Sequence, residues 1–197
     1  MDKLINLAKL FILQPREAWE EIKNDQSTAQ QHITSYVLPL ALIPAISLII
    51  GYGLIGYSVF GVRVQSMNLG ITQAIISILA TVLGVFISGF IIHKLAESFQ
   101  AEVSFDKAIK LVGFSYTAAM VGGIFNIYLP LAILAMICGI YSLYTLYIGF
   151  KPMTNVSEEK NTSYFIVSLI VIIGIYIILG IILTSIFGAV GMGIHHL

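Results

Sequence analysis

The longest apolar block in this chain runs from Leu111 to Phe150, forty residues without a charged side chain, with Asn126 and Pro130 near its middle. A bilayer core needs about 20 apolar residues per helix, so the block predicts two membrane helices joined by a tight turn. Applied to the whole chain, the same pattern predicts five spans, at about 34–57, 71–92, 108–127, 129–150 and 164–187, the first bent by Pro39 and Pro44. The expected fold class is therefore all-α: a polytopic membrane bundle of five transmembrane helices preceded by an N-terminal interfacial amphipathic segment. Two regions follow, amphipathic cytoplasmic helices over 1–30 and a five-span membrane domain over 31–197.

The first thirty residues are patterned differently. Leu4, Leu7, Ala8 and Phe11 recur at helical spacing with Lys3, Asn6 and Lys9 on another face, which predicts a helix lying on the headgroup layer. Pro15 opens a second short helix continuing through Arg16, Glu17, Ala18, Trp19, Glu20, Glu21 and Ile22. Trp19 and Ile22 share a face, and Trp favours the membrane interface. Two readings stand side by side. The segment anchors and packs beneath the bundle, or it offers a docking surface built on Pro15, Arg16, Glu17, Trp19, Glu20 and Ile22. No cleavable leader is expected, because Asn6 and Lys9 break the first apolar run.

Composition supports a membrane protein: 58% of residues are hydrophobic and 10% charged, against roughly half and a quarter in soluble chains. The formal net charge is zero, and the scattered basic residues form no patch able to neutralise a run of phosphates, so nucleic acid is not an expected partner. Cys138 has no second cysteine to pair with. Nine of the ten basic residues (Lys3, Lys9, Arg16, Lys23, Lys94, Lys107, Lys110, Lys151 and Lys160) fall on one side of the predicted bundle, and Arg63 alone falls on the other. The positive-inside rule then places the N-terminus in the cytoplasm and the C-terminus outside. The sequons at Asn155 and Asn161 lie on the cytoplasmic side, so they are expected to stay unmodified.

No acid or base is expected at the centre of a span, which disfavours a proton-coupled carrier. Small residues recur every four positions instead: Ala80, Gly84 and Ser88, then Ser115, Ala119 and Gly123, then Gly180, Thr184 and Gly188. Such lines bring backbones together in lipid, either within one chain or between copies. The Gly51-x-Gly53-x-x-Gly56 match ends a span and lacks the strand–helix setting of a nucleotide fingerprint. The His93 and Glu97 pair is two ligands short of a metal site. No nucleophile, metal cluster or acid pair is present to make an enzyme, and no cofactor is called for.

The most distinctive text is Phe105-Asp106-Lys107-Ala108, Gly113-Phe114-Ser115-Tyr116-Thr117-Ala118, Leu129-Pro130, and the run from Gly139 to Lys151. Together with the Pro15–Ile22 segment it resembles the Yip-domain family, the small membrane proteins that interact with Ypt/Rab GTPases, over roughly residues 10–187. The short leader before Pro15 is similar to the prokaryotic branch. The resemblance implies five spans with a cytoplasmic N-terminus; eukaryotic relatives act in vesicle trafficking and membrane shaping, and no catalytic residue carries over. It marks Pro15–Ile22 as a cytoplasmic contact, and Gly113, Tyr116, Pro130, Tyr141, Tyr144 and Gly149 as the core of the third and fourth helices. Tyr141 should find a buried partner, for which Ser115 and Asn126 are the candidates.

The expected function is a non-enzymatic scaffold or accessory protein of an inner membrane, with lipids, a protein at the cytoplasmic face or a second copy as partners. The alternative is a passive lipid or small-solute path along a polar seam of Ser115, Thr117, Asn126, Ser142 and Thr145.

Overall fold

The computed structural model describes residues 2–59 and 62–193, with side chains of the last helix described as far as residue 178. The elements are α1 (Asp2–Leu13), α2 (Pro15–Ile22), α3 (Ala29–Ile55), a two-stranded antiparallel ribbon β1 (Tyr57–Val59) and β2 (Val62–Val64), α4 (Met67–Leu95), α5 (Phe105–Ile127), α6 (Ala132–Thr154) and α7 (Glu158–Gly193). Among the described residues, α3, α4, α5 and α6 are each long and apolar enough to cross a bilayer. The expected fifth span falls within α7, and its second half lies outside the described side chains, as do Gly180, Thr184 and Gly188.

α5 is the centre of the bundle. In its most apolar stretch 72% of residues are buried, against 28–39% in the other three, and every residue from Ala108 to Ser115 is buried. The outer helices expose large apolar side chains in rows, among them Ile75, Leu79, Leu83 and Phe86 on α4 and Ile133, Met136, Ile140 and Leu143 on α6. Such rows suit hydrocarbon as solvent, because lipid asks only that backbone polar groups be satisfied within the helix.

Local chemistry sets the boundaries. α3 opens on a capping box: the Thr28 hydroxyl accepts from the Gln31 N–H at 3.2 Å, and the Gln31 side chain accepts from the Thr28 N–H at 3.0 Å. α5 begins at Phe105, earlier than hydropathy alone suggests, because the Ser104 hydroxyl accepts from the Lys107 N–H and caps it. α6 ends on Asn155 in the left-handed conformation, one of the few residues besides glycine that tolerates it.

α3 is irregular, with wide π-turns at Ile33–Val37 and Ile49–Ile55 on either side of the helix carrying Pro39 and Pro44. Pro44 is a packing feature: a Cβ at Gly123 of α5 would come within 2.5 Å of its ring. The glycines near the end of α3 serve close approach too, since a Cβ at Gly51 would lie 2.4 Å from the Asn126 carbonyl oxygen.

Candidate functional site

α1 and α2 fold back on each other across Gln14, so that Glu21 of α2 returns beside Lys3 and Leu7 of α1. This hairpin is built into the bundle wall. Phe11 stacks on Phe114 of α5 with ring centroids 4.9 Å apart and meets Trp19 edge-on at 4.9 Å. Ala8, Phe11, Ala18, Trp19 and Ile22 belong to one hydrophobic cluster with Phe114, Leu146 and Phe150. The N-terminal region and the membrane helices therefore share a single core.

Two polar bonds set the hairpin's depth. The Trp19 indole N–H donates to the Thr145 carbonyl at 3.0 Å, and the Tyr141 hydroxyl donates to the Ile12 carbonyl at 2.8 Å. At about 1.5 Å per residue, Tyr141 lies roughly 15 Å along α6 from Lys151, and Thr145 roughly 9 Å. The hairpin tip thus reaches well down the length of α6, and Leu13 at the tip is 75% exposed. The partner of Tyr141 is this Ile12 carbonyl and neither Ser115 nor Asn126: the bond lies between the hairpin and α6, a contact that span-by-span reading does not consider.

Gly149 makes the docking fit. A Cβ there would sit 2.1 Å from the Trp19 ring, so only a residue without a side chain lets the indole lie flat on α6. Gly113 does the same on α5, where a Cβ would stand 2.2 Å from His32 Nε2. His32 and Tyr36 pack on Phe114 with centroids 4.3 and 4.6 Å away, and the Tyr36 hydroxyl meets Thr117 Oγ1 at 2.8 Å.

Of the residues expected to meet a partner, Pro15, Trp19 and Ile22 are buried inside this chain, whereas Arg16, Glu17 and Glu20 are exposed, with Glu21 beside them. Trp19 faces Gly149 and has no surface to offer. Of the expected helix-core set, Gly113, Ser115 and Gly149 are buried, Tyr116 and Tyr141 are half-buried, and Tyr144 is exposed beside Tyr141. Pro130 sits at the far end of the bundle, lining a recess of about 690 Å3 with Tyr128, Arg63 and Tyr57. Asn126 is at that end as well, its backbone against Gly51.

The seam hydroxyls are engaged internally. Ser115 donates to Leu111, Thr117 to Phe114, Thr145 to Tyr141, and Ser142 accepts from the Ala119 N–H, which pins α6 to α5.

Sequence reading missed a buried polar cluster at the N-terminal face. Lys110 is 1% exposed; its ammonium donates to the Asp25 carbonyl at 2.5 Å and lies 4.0 Å from the Asp25 carboxylate. Burial works to raise the Asp25 carboxyl, but the Ser27 N–H and hydroxyl, with the charges of Lys110 and Lys3, outweigh it and hold it below its ordinary value. Asp106 accepts from the Ala29 N–H at 2.7 Å and ties the start of α3 to α5. The signal in the sequence was Lys110 itself, on the same helical face as Gly113 and Phe114 and so directed into the core. His93 meets the Val103 carbonyl at 2.9 Å through Nδ1.

This architecture defines a class: a polytopic helical membrane protein whose N-terminal hairpin is part of its wall. The sequence matches the Yip1 domain over residues 9–190, and the chain belongs to that family. It is similar to "Inner membrane protein YohC" of Escherichia coli K12, 27% identical over 157 residues that cover 76% of this chain and 80% of that protein. The protein of the same name from Escherichia coli O6:H1 gives the same figures. No solved structure matches. The family match begins inside α1 and includes all of α2, so α2 and the end of α1 lie within the family domain.

Proposed function

We propose that this protein is a non-enzymatic scaffold of an inner membrane, with five spans, that recruits a partner through the outer edge of its N-terminal hairpin. The observation carrying this reading is the division of labour on α2: one face is locked to α6 by Trp19, and the other presents Arg16, Glu17, Glu20 and Glu21. A helix held rigidly with a charged face outward is preorganised for association, since little ordering entropy remains to be lost on binding. The basic-residue asymmetry supports a cytoplasmic position for this edge, and the inner-membrane relative supports the compartment.

The test is extraction of the native assembly in mild detergent, with its mass and subunit composition measured for wild type and for Glu17→Lys/Glu20→Lys/Glu21→Lys. The expected result is a stoichiometric companion that the folded triple variant loses. A companion-free wild-type assembly, or one whose companion survives the charge reversal, would overturn the reading.

A further inference from the structure

The recess at the end of the bundle opposite the hairpin is built around a cation that the chain does not neutralise. Its volume is about 690 Å3, and its lining includes Gly56, Tyr57, Ser58, Arg63, Tyr128 and Pro130. The ribbon register sets Ser58 opposite Arg63, so hydroxyl and guanidinium stand side by side on one face. An Nη2 N–H of Arg63 donates to the Ile55 carbonyl at 2.6 Å, and Tyr57 is braced edge-on against Tyr52 with centroids 5.0 Å apart. Gly56, at a φ of 77°, lets the chain fold back here; a Cβ would come within 2.8 Å of the Val64 carbonyl oxygen. Backbone therefore holds the guanidinium at the recess before any ligand arrives.

Capping the carbonyl end of α3 accounts for only part of this arrangement. Gln65 already donates to the Gly53 and Leu54 carbonyls at 3.2 and 2.8 Å, and the bond to Ile55 uses one of the five N–H donors a guanidinium carries. Arg63 joins none of the salt bridges among the described residues. No carboxylate side chain is at hand to join it. All ten Asp and Glu residues of the chain fall in the hairpin, in the connections at its end of the bundle, or in the first turns of α5 and α7. The hydroxyls of Tyr57, Ser58 and Tyr128 also make no hydrogen bond among the described residues. A fixed guanidinium ringed by uncommitted hydroxyl donors repels an amine and suits an oxyanion, and of these the planar fork matches phosphate. Tyrosines at the ends of spans mark the interfacial depth where such groups are met.

We propose that this recess binds a phosphate group, with Arg63 supplying the charge and the hydroxyls of Tyr57, Ser58 and Tyr128 supplying further donors. A phospholipid headgroup and a soluble phosphate present the same chemistry to it. The site depends neither on a protein partner nor on which way the bundle faces. One basic side chain near an anionic lipid contributes about fivefold in affinity, which sets the scale of the expected loss at Arg63.

Two arms on the full-length protein in detergent test this. Native mass spectrometry compares retention of palmitoyl-oleoyl phosphatidylglycerol with that of diacylglycerol of the same chains, which lacks the phosphate, and phosphorus NMR follows binding of inorganic phosphate. The wild type is expected to bind in at least one arm: in the lipid arm for a headgroup site, in the phosphate arm alone for a site that takes the soluble ion. Arg63→Gln should weaken that binding about fivefold, and Lys160→Gln, at the other end of the bundle, should leave it unchanged. Trp19 emission verifies that each variant is folded. Tyr57→Phe/Tyr128→Phe removes two hydroxyls that hold nothing in the fold, so it decides the matter if Arg63→Gln does not fold; it too should bind less. A wild type that binds in neither arm, or wild-type binding by folded Arg63→Gln or by the double tyrosine variant, would overturn the proposal.

Discussion

Gly149 and Trp19 form the tightest junction between the N-terminal hairpin and the membrane helices. A leucine at 149 would drive its side chain into the indole, and overpacking of this kind costs about 1–3 kcal/mol. Thermal unfolding in detergent should show Gly149→Leu destabilised while Gly139→Leu, whose added Cβ meets nothing within 4 Å, is close to wild type. Trp19→Ala removes a side chain that is 1% exposed and should cost about 3–5 kcal/mol. It is a folding mutation, so docking is tested at Glu17, Glu20 and Glu21 instead. Asp25 gives a pH signature. Its folded carboxyl lies below the ordinary value of 3.8, so its stabilisation is complete above that value and fades as pH falls through the folded one. A melting-temperature series in acid should therefore fall less steeply for Asp25→Asn than for the wild type.

Among the elements, what could be read in the sequence follows the reach of each physical signal. Hydropathy located α3, α4, α5 and α6 because a helix that crosses lipid must be apolar over its length. It began α5 late because Asp106 and Lys107 precede the apolar run, although the Ser104 cap was there to be read. The pattern of α1 was legible as two-faced, but periodicity alone does not say whether the apolar face meets lipid headgroups or protein. Phe11 on Phe114 and Ile12 with Tyr141 supply that answer; both are contacts more than a hundred residues apart in sequence, beyond any local pattern. The buried Lys110 was obscure for a related reason, because its partner Asp25 lies in a loop on the far side of α3 in sequence. In a Cys138→Ser background, Glu17→Cys should react quickly with a membrane-impermeant maleimide in inside-out vesicles. Leu13→Cys at the hairpin tip should react slowly there; equal rates would mean that the tip is not sheltered by the bilayer.

At the scale of the whole molecule, one central helix carries the packing. α5 is lined on its flanks by α3, α4, α6 and the hairpin, which leaves the outer rows of isoleucine, leucine and phenylalanine for lipid. The basic loops gather at the end where the hairpin enters, and the ribbon with Arg63 lies at the other. Ser58→Cys in that ribbon should label from outside intact cells, and Lys160→Cys only after permeabilisation; the reverse pattern would invert the proposed orientation.

The N-terminal hairpin is a fixed part of the membrane bundle, held by Trp19 and Tyr141. Trp19 is the single tryptophan of the chain, so its fluorescence in proteoliposomes reports on that contact alone. A docked hairpin predicts blue-shifted emission shielded from acrylamide, turning red and quenchable in Gly149→Leu. Red, freely quenched emission from the wild type would contradict it.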